Sequence, residues 1–255
     1  MTSSRFQLRP TSKGLVGFLL IPLSYIYAAG VRLRLLLYSA GFPRPRRVEG
    51  VRVISVGNLT AGGTGKTPVT IMLAKMMGDG VAVVSRGYGR NSRSPVQIVS
   101  DGRRILADYP QAGDEALLCA RALKNFPVIC APDRIKGVRA AKLFGARTVI
   151  LDDAFSHLSA HRNLDILLMD ATDPFGGWRM LPAGMLREPP SSIKRADAVV
   201  ITRANFVEAA ELDRLRIEIA AFAGKYIRIF TCDIKPASLL GPDGAEGSLE
   251  KQSRK

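Results

Sequence analysis

The sequence predicts an α/β fold built on a doubly wound, mainly parallel sheet, preceded by a membrane-associated helical segment. Three observations predict it. Short β-branched runs alternate with helical stretches from Val51 onward, a glycine-rich turn ends in Gly65-Lys66-Thr67 at the first strand-to-helix junction, and a charge-free run lies between arginines near the N-terminus. With 255 residues and 47% apolar side chains, the chain can bury a sizeable core. Its 24 glycines and 15 prolines follow no period, which excludes collagen and low-complexity disorder. Cys119, Cys130 and Cys232 are odd in number, widely spaced and without a Cys-x-x-Cys pair. They read as reduced core thiols of a cytosolic setting, not as a disulfide framework, a zinc site or a redox pair. Against 37 Lys and Arg stand 22 Asp and Glu, a net charge of +15, which favours an anionic partner.

The elements follow in order. Residues 1–47 form a basic and apolar segment in which Gly14 to Val31 carries no charge, while Arg5, Arg9, Lys13, Arg32, Arg34, Arg44, Arg46 and Arg47 flank it. A signal peptide, a single membrane span, a segment lying in the membrane interface and a helical hairpin buried on the main domain are all compatible with such a run. Arginines on both sides of the apolar run favour the interfacial arrangement, with guanidinium groups on an anionic inner-membrane surface. Residues 48–236 carry the runs VRVISV, VAVVSR, FPVICA, TVILDD, DILLMD, AVVITR and YIRIFT, mostly apolar throughout, as strands covered on both faces must be. Helical stretches lie between them, at residues 68–77, 114–124, 134–144 and 207–222. Residues 95–107 read as a small hairpin turning at Asp101-Gly102. The tail, 237–255, is polar and Gly-rich and reads as disordered.

The sharpest chemical signal is ISVGNLTAGGTGKTPVT. A strand ends near Val56, a glycine-rich turn follows, and a helix begins at Lys66 or Thr67 with Pro68 in its first turn. Such a turn points backbone N–H groups at an anion, and the helix N-terminus adds positive potential. Thr60, Ala61, Gly62, Gly63, Thr64, Gly65, Lys66 and Thr67 are therefore the candidate nucleotide-binding residues, with Lys66 reaching the phosphates and the Thr67 hydroxyl a ligand for Mg²⁺. The strict P-loop pattern wants a glycine at the position of Thr60, so the formal motif fails while its strand–turn–helix context holds. The expected fold is thus P-loop NTPase-like. In TVILDD, Asp152 and Asp153 stand at the carboxyl end of a buried strand, where P-loop enzymes hold Mg²⁺. Capping acids would look the same in isolation; beside the P-loop the metal reading is favoured. SRGYGR opens toward the same crevice with Arg86 and Arg90. Asp114 and Glu115 begin a helix, where the dipole alone accounts for carboxylates. His157 and His161 follow the acidic strand.

Taken together, SVGNLTAGGTGKTP, VSRGYGR, AGDEALL, the Asp-Arg of APDRIKG, LDDAFSHLSAHRNLDI and LPAGMLREP, in this order after an apolar N-terminal segment, resemble the tetraacyldisaccharide 4'-kinase family over about Leu15 to Pro236. The resemblance implies an ATP- and Mg²⁺-dependent kinase at the cytoplasmic face of the bacterial inner membrane. Its reaction phosphorylates the 4'-hydroxyl of a tetraacylated glucosamine disaccharide 1-phosphate in lipid A biosynthesis. It also implies that Asp114 is the catalytic base, acting with Lys66, and that Asp152 and Asp153 serve the metal. Ser85, Arg86, Tyr88, Glu115, His157, Arg187 and Glu188 would face the lipid substrate. The family pattern has other residues where this chain carries Ala116, Ala154, Ser156 and Asn163. It also continues several dozen residues further, into a second lobe whose histidine partners the catalytic aspartate. On that ground residues 1–255 are expected to bind ATP and to phosphorylate lipid poorly, as a fragment or an inactive truncated homologue would.

Other classes fit less well. A partition- or maturation-type ATPase carries a signature lysine where this chain has Ala61. A GTPase needs a base-reading Asn-Lys-x-Asp, which ITRAN at 201–205 lacks. Nucleic acid would use the positive charge, yet the bases concentrate around an apolar segment.

Overall fold

The computed structural model describes residues 15–235, 239–240 and 246–247. The seven apolar runs all form strands, and the helical stretches all form helices. In chain order the elements are α1 (Leu15–Ser39), β1 (Arg52–Asn58), α2 (Lys66–Met77), β2 (Val81–Ser85), β3 (Gln97–Asp101), α3 (Tyr109–Ala112), α4 (Asp114–Ala122), β4 (Pro127–Cys130), α5 (Arg134–Leu143), β5 (Thr148–Asp152), β6 (Leu164–Asp170), β7 (Ala198–Thr202), α6 (Ala209–Ala223) and β8 (Arg228–Cys232). One sheet takes eight strands in the order β3-β4-β2-β5-β1-β6-β7-β8. Every pairing in it is parallel except β3 with β4. The chain leaves β1 in one direction for β2 and β4 and in the other for β6, β7 and β8, so the carboxyl end of β1 is a switch point, the place where open α/β sheets bind ligands.

The central strands β1, β2, β4, β5 and β6 are buried almost throughout, which is why their sequences do not alternate. One apolar cluster joins Val56, Val69, Ala74, Cys119 and Ile150 under α2 and α4; another joins Val53, Val84, Ile135, Val138 and Leu151 under α5. A third gathers Phe155, Leu167, Val199, Leu215 and Ile219 around β6, β7 and α6. Gly57 lets β1 and the chain after β5 approach: a Cβ there would stand 2.5 Å from the Phe155 nitrogen.

Three expectations need correcting. The hairpin has only one true strand, β3; its returning arm is a single antiparallel bridge, Ser100 with Ile105. β3 instead finds its ladder partner in β4, and Asp101 closes the turn by accepting from the Arg103 and Arg104 N–H groups at 2.7 Å. Within the tail, Leu239–Leu240 (β9) pairs antiparallel with Glu246–Gly247 (β10). The other tail residues, like residues 1–14, lie outside the described ones. Cys119 and Cys130 are buried thiols, but Cys232 is only half-buried because β8 is the exposed edge strand.

The N-terminal apolar run is part of one 25-residue helix, not a hairpin, and it continues through Arg32 and Arg34. By length and composition, Leu20–Ser39 is apolar enough to cross a membrane. A narrow seam docks it on the main domain: Ser24 and Ala28 are buried, Ser24 Oγ donates to the Met180 carbonyl at 2.7 Å, and the Tyr27 hydroxyl donates to the Arg187 carbonyl at 3.1 Å. Leu23, Tyr25, Ile26, Leu33, Leu36 and Leu37 remain exposed.

Candidate phosphate-binding and phosphoryl-transfer site

The loop between β1 and α2 is built to bind an anion. Gly62 and Gly65 take φ values of 111° and 78°, which side-chain-bearing residues avoid. Its carbonyls are turned outward and held. Lys66 Nζ donates to Gly62 O at 3.0 Å, Arg203 Nη2 to Gly63 O at 3.0 Å, and Thr202 Oγ1 to Thr64 O at 3.0 Å. Thr60 bridges Leu186, and Ala61 N–H donates to Met185 O at 2.7 Å, so these two residues anchor the loop. The N–H groups of Gly62, Gly63, Thr64, Gly65 and Lys66 have no acceptor among the described residues. A run of unpaired amides at a helix N-terminus fits a chain of phosphates.

Both strand-end acids meet this loop. Asp152 Oδ2 accepts from Thr67 Oγ1 at 3.4 Å, and Asp152 Oδ1 accepts from Thr70 Oγ1 at 3.0 Å. Burial pushes the Asp152 carboxyl up to about 6, helped by the nearby Glu115 and Asp153 and opposed by the Thr70 hydroxyl. Asp153 sits at φ 48° and turns the other way, 3.8 Å from Lys66 Nζ and 3.1 Å from Arg187 Nη1. Among the described residues Asp152 has hydroxyl donors and no ion pair, a deeply buried acid that a cation would complement. No group of three His, Cys, Asp or Glu side chains stands together among the described residues. A divalent ion here would rest on Thr67, Asp152 and Asp153 oxygens, with nucleotide phosphate and water supplying the remainder. That hard oxygen set suits Mg²⁺, which habitually keeps water and substrate phosphate ligands.

The other predicted residues divide. Asp114 is exposed at the start of α4, which packs on α2, and the next residue, Glu115, is near enough to Asp152 to raise its carboxyl. Gly113 touches the SRGYGR loop so closely that a Cβ would stand 2.4 Å from Tyr88 O. Asp114, Glu115, Arg86 and the 80%-exposed Tyr88 therefore share one rim. Ser85 is buried below it, its hydroxyl 3.3 Å from Cys130 Sγ. His157 is half-buried, its Nε2 3.0 Å from Ser159 Oγ. Burial, with Arg134 and Arg34 adding to it, lowers the imidazole to about 4 and keeps it neutral. Arg187 faces the crevice through Asp153. Glu188 does not: it is 2% exposed and bound to Arg195 at 2.7 Å, because a carboxylate taken out of water needs a cation. Its predicted contact with substrate is replaced by a structural one.

Four positions around the loop were given no role by the sequence reading, although Arg134 stands in the quoted Asp-Arg pair. Arg134, 2% exposed, donates to the Ala131 and Asp152 carbonyls at 2.9 and 3.3 Å and so braces the acidic strand end from beneath. Thr202 and Arg203 clamp the loop carbonyls, and Asp170 pairs with the Arg203 guanidinium. The signal was present for three of them. DILLMD ends in an acid as TVILDD does, and AVVIT is followed by an arginine at the equivalent strand end.

A sequence model of the tetraacyldisaccharide-1-P 4'-kinase family matches residues 16–252. The chain belongs to this family. It is 45% identical over 206 residues to the tetraacyldisaccharide 4'-kinase of Halothermothrix orenii, covering 79% of this chain and 53% of that protein. To the protein of the same name from Geobacter metallireducens it is 47% identical over 199 residues, 76% of this chain and 59% of that one. The chain thus spans little more than half the length of these curated relatives. The crystal structure of an "apo" form of LpxK from Aquifex aeolicus in complex with ATP superposes with a TM-score of 0.76 at 34% identity, over 94% of this chain and 72% of that one. The P-loop NTPase-like fold expected from the sequence is the fold the family has.

Proposed function

We propose that this chain is the nucleotide-binding and phosphoryl-transfer part of a tetraacyldisaccharide 4'-kinase. In this reading it transfers the γ-phosphate of ATP to the 4'-hydroxyl of a tetraacylated glucosamine disaccharide 1-phosphate, a step of lipid A biosynthesis. The observation that carries the reading is the loop of unpaired amides from Gly62 to Lys66, with Asp152 and Asp153 at its edge. The ATP in the Aquifex aeolicus complex supports the choice of nucleotide.

Each residue then has a task. The amides of residues 62–67 cradle the phosphates, and Lys66 leaves Gly62 O and Asp153 to meet the transferring phosphoryl group. Thr67, Asp152 and Asp153 hold Mg²⁺, which when bound neutralises charge building up between the phosphates. Asp114, exposed on the rim, takes the proton of the attacking hydroxyl, and Glu115 and the SRGYGR loop orient the sugar. Arg187, whose guanidinium already faces Asp153, adds positive charge on the acceptor side. The exposed apolar face of α1 and its arginines seat the enzyme on the anionic cytoplasmic face of the inner membrane, where the acyl chains of the substrate lie.

The test combines calorimetric titration of ATP with Mg²⁺ and mass analysis of lipid disaccharide 1-phosphate incubated with both. Binding of Mg-ATP that is lost in Lys66→Ala supports the reading. Absence of nucleotide binding, or phosphate transfer that survives Lys66→Ala, overturns it.

A further inference from the structure

A cavity of about 570 Å³ lies outside the phosphate crevice, between the second half of α1 and the segment 189–195. Its size is that of a small-ligand pocket. Arg32, Leu35, Leu36, Tyr38 and Ser39 of α1 form one wall; Leu158, Arg162, Ser192, Lys194 and Arg195 are among the residues opposite. No loop residue from 60 to 67 lines it, nor do Asp114, Asp152 or Asp153. Consecutive residues separate the two spaces: Arg187 turns its guanidinium to Asp153, and Glu188 turns inward to Arg195.

The charge in this cavity is one-sided. Four cations line it and no carboxylate does. Arg162 and Arg195 are neutralised from behind by the buried Asp165 and Glu188. Arg32 and Lys194 are exposed, and their side chains make no hydrogen bond or ion pair among the described residues. Ser192, 2% exposed, lines the cavity beside these cations, and its hydroxyl has no partner among the described residues. The floor is apolar, and Leu36 belongs both to the cavity and, at 65% exposure, to the open face of α1 with Leu33 and Leu37. Two free cations joined to an apolar track match an anionic head on an acyl chain, and match neither a nucleotide nor an uncharged lipid.

We propose that this cavity is a phospholipid site: it takes the phosphate of an anionic glycerophospholipid of the bilayer on Arg32 and Lys194, and leads one acyl chain past Leu36 onto α1. The inference rests on the function proposed above, and the cavity shares no lining residue with the phosphate loop or with Asp114, Asp152 and Asp153.

The test uses the full chain and monomeric dihexanoyl-phosphatidylglycerol, followed by calorimetry. Saturable binding is expected, weakened about tenfold or more in the double variant Arg32→Gln, Lys194→Gln, as loss of charge-assisted phosphate contacts requires. Both residues are exposed and unpaired, so the variant keeps its fold; unchanged Mg-ATP affinity checks this. Dihexanoyl-phosphatidylcholine should bind at least tenfold more weakly than the glycerol lipid. Equal binding of the two lipids, or full binding by the double variant, overturns the proposal. Competition by inorganic phosphate at equal concentration would mean a phosphate site without an acyl component, and competition by a short-chain disaccharide 1-phosphate would mean a substrate site. Either result also overturns it.

Discussion

Asp152 ends β5 and Asp170 ends β6, on either side of the central strand β1. Both are buried acids at the carboxyl end of an apolar strand, and their surroundings differ completely. Among the described residues the Asp152 carboxylate is met by two threonine hydroxyls and makes no ion pair. Asp170 is met by the Arg203 guanidinium and, at 2.7 Å, by the Thr172 hydroxyl. One carboxylate is left short of positive charge, and the other is neutralised inside the protein. Coulomb attraction at low effective dielectric makes the second a strut, and leaves the first the better placed of the two to receive a cation, as the proposed function requires. The strut has a purpose: through Arg203 it fixes a carbonyl of the phosphate loop, so both acids serve the loop, one from each side.

The largest expected effect concerns what lies between the two acids. Lys66→Ala should lower ATP-dependent phosphorylation by a factor of about 10³ or more, since a preorganised charge on the transferring group is worth several kcal/mol. Thermal unfolding should be little changed, because among the described residues Lys66 holds one carbonyl and a 3.8 Å ion pair. A variant that retains turnover would move the phosphate site away from this loop.

Next in size is the paired test of the acids. Asp152→Asn should cut turnover about 10²-fold, with a raised Mg²⁺ requirement, as loss of a metal carboxylate implies. It should leave stability unchanged or higher, because the native carboxylate is desolvated without a cation. Asp170→Asn should do the reverse: a loss of about 1–2 kcal/mol, since Arg203 is partly open to water and screened, with the Mg²⁺ requirement unaltered. Denaturant midpoints and Mg²⁺ titrations decide. Equal behaviour of the two variants would remove the distinction.

Arg203→Gln follows. The residue sits at φ 56°, a conformation most side chains resist, and its fork joins Gly63 O to Asp170. Losing one charge-assisted bond to the loop should raise KM for ATP about tenfold while kcat falls less. Arg203→Lys, with a single point charge, should recover only part of it. A fall in kcat at constant KM would place Arg203 on the transferring phosphoryl group itself.

These two acids also mark what the sequence could tell. All seven apolar runs became strands because burial on both faces leaves a continuous pattern that survives without any knowledge of neighbours. The loop was legible because glycines and a lysine at a strand–helix junction have few other uses. Asp152 was found and Asp170 was not, although MD and LDD look alike, because the difference lies in Arg203, 33 residues away in sequence. Glu188 was misplaced for the same reason: its motif is on the chain, but its partner Arg195 closes over it only after a turn. Arg134 was quoted only within the Asp-Arg pair of APDRIKG, and only packing shows it beneath the acids.

The smallest effect concerns His157, five residues beyond Asp152. The imidazole is buried among Arg134, Arg34 and Arg162, and its proton affinity is lowered to about 4 from the ordinary value near 6.5. A base held below its unfolded value takes up protons more readily when the chain unfolds. Its contribution is therefore complete above pH 6.5 and is lost as pH falls from 6.5 toward 4. The site is partly open to water, so the full shift is discounted, and the loss at pH 5 should be about 1 kcal/mol. Carboxylates titrate in the same range, so the quantity to measure is a difference. Urea midpoints at pH 7.5 and pH 5 should separate more for the wild type than for His157→Gln, which keeps a hydrogen-bonding side chain opposite Ser159 and cannot take up the proton. If both proteins lose equal stability, His157 is already free to protonate in the folded chain, and burial beside Arg134 and Arg34 does not hold it neutral.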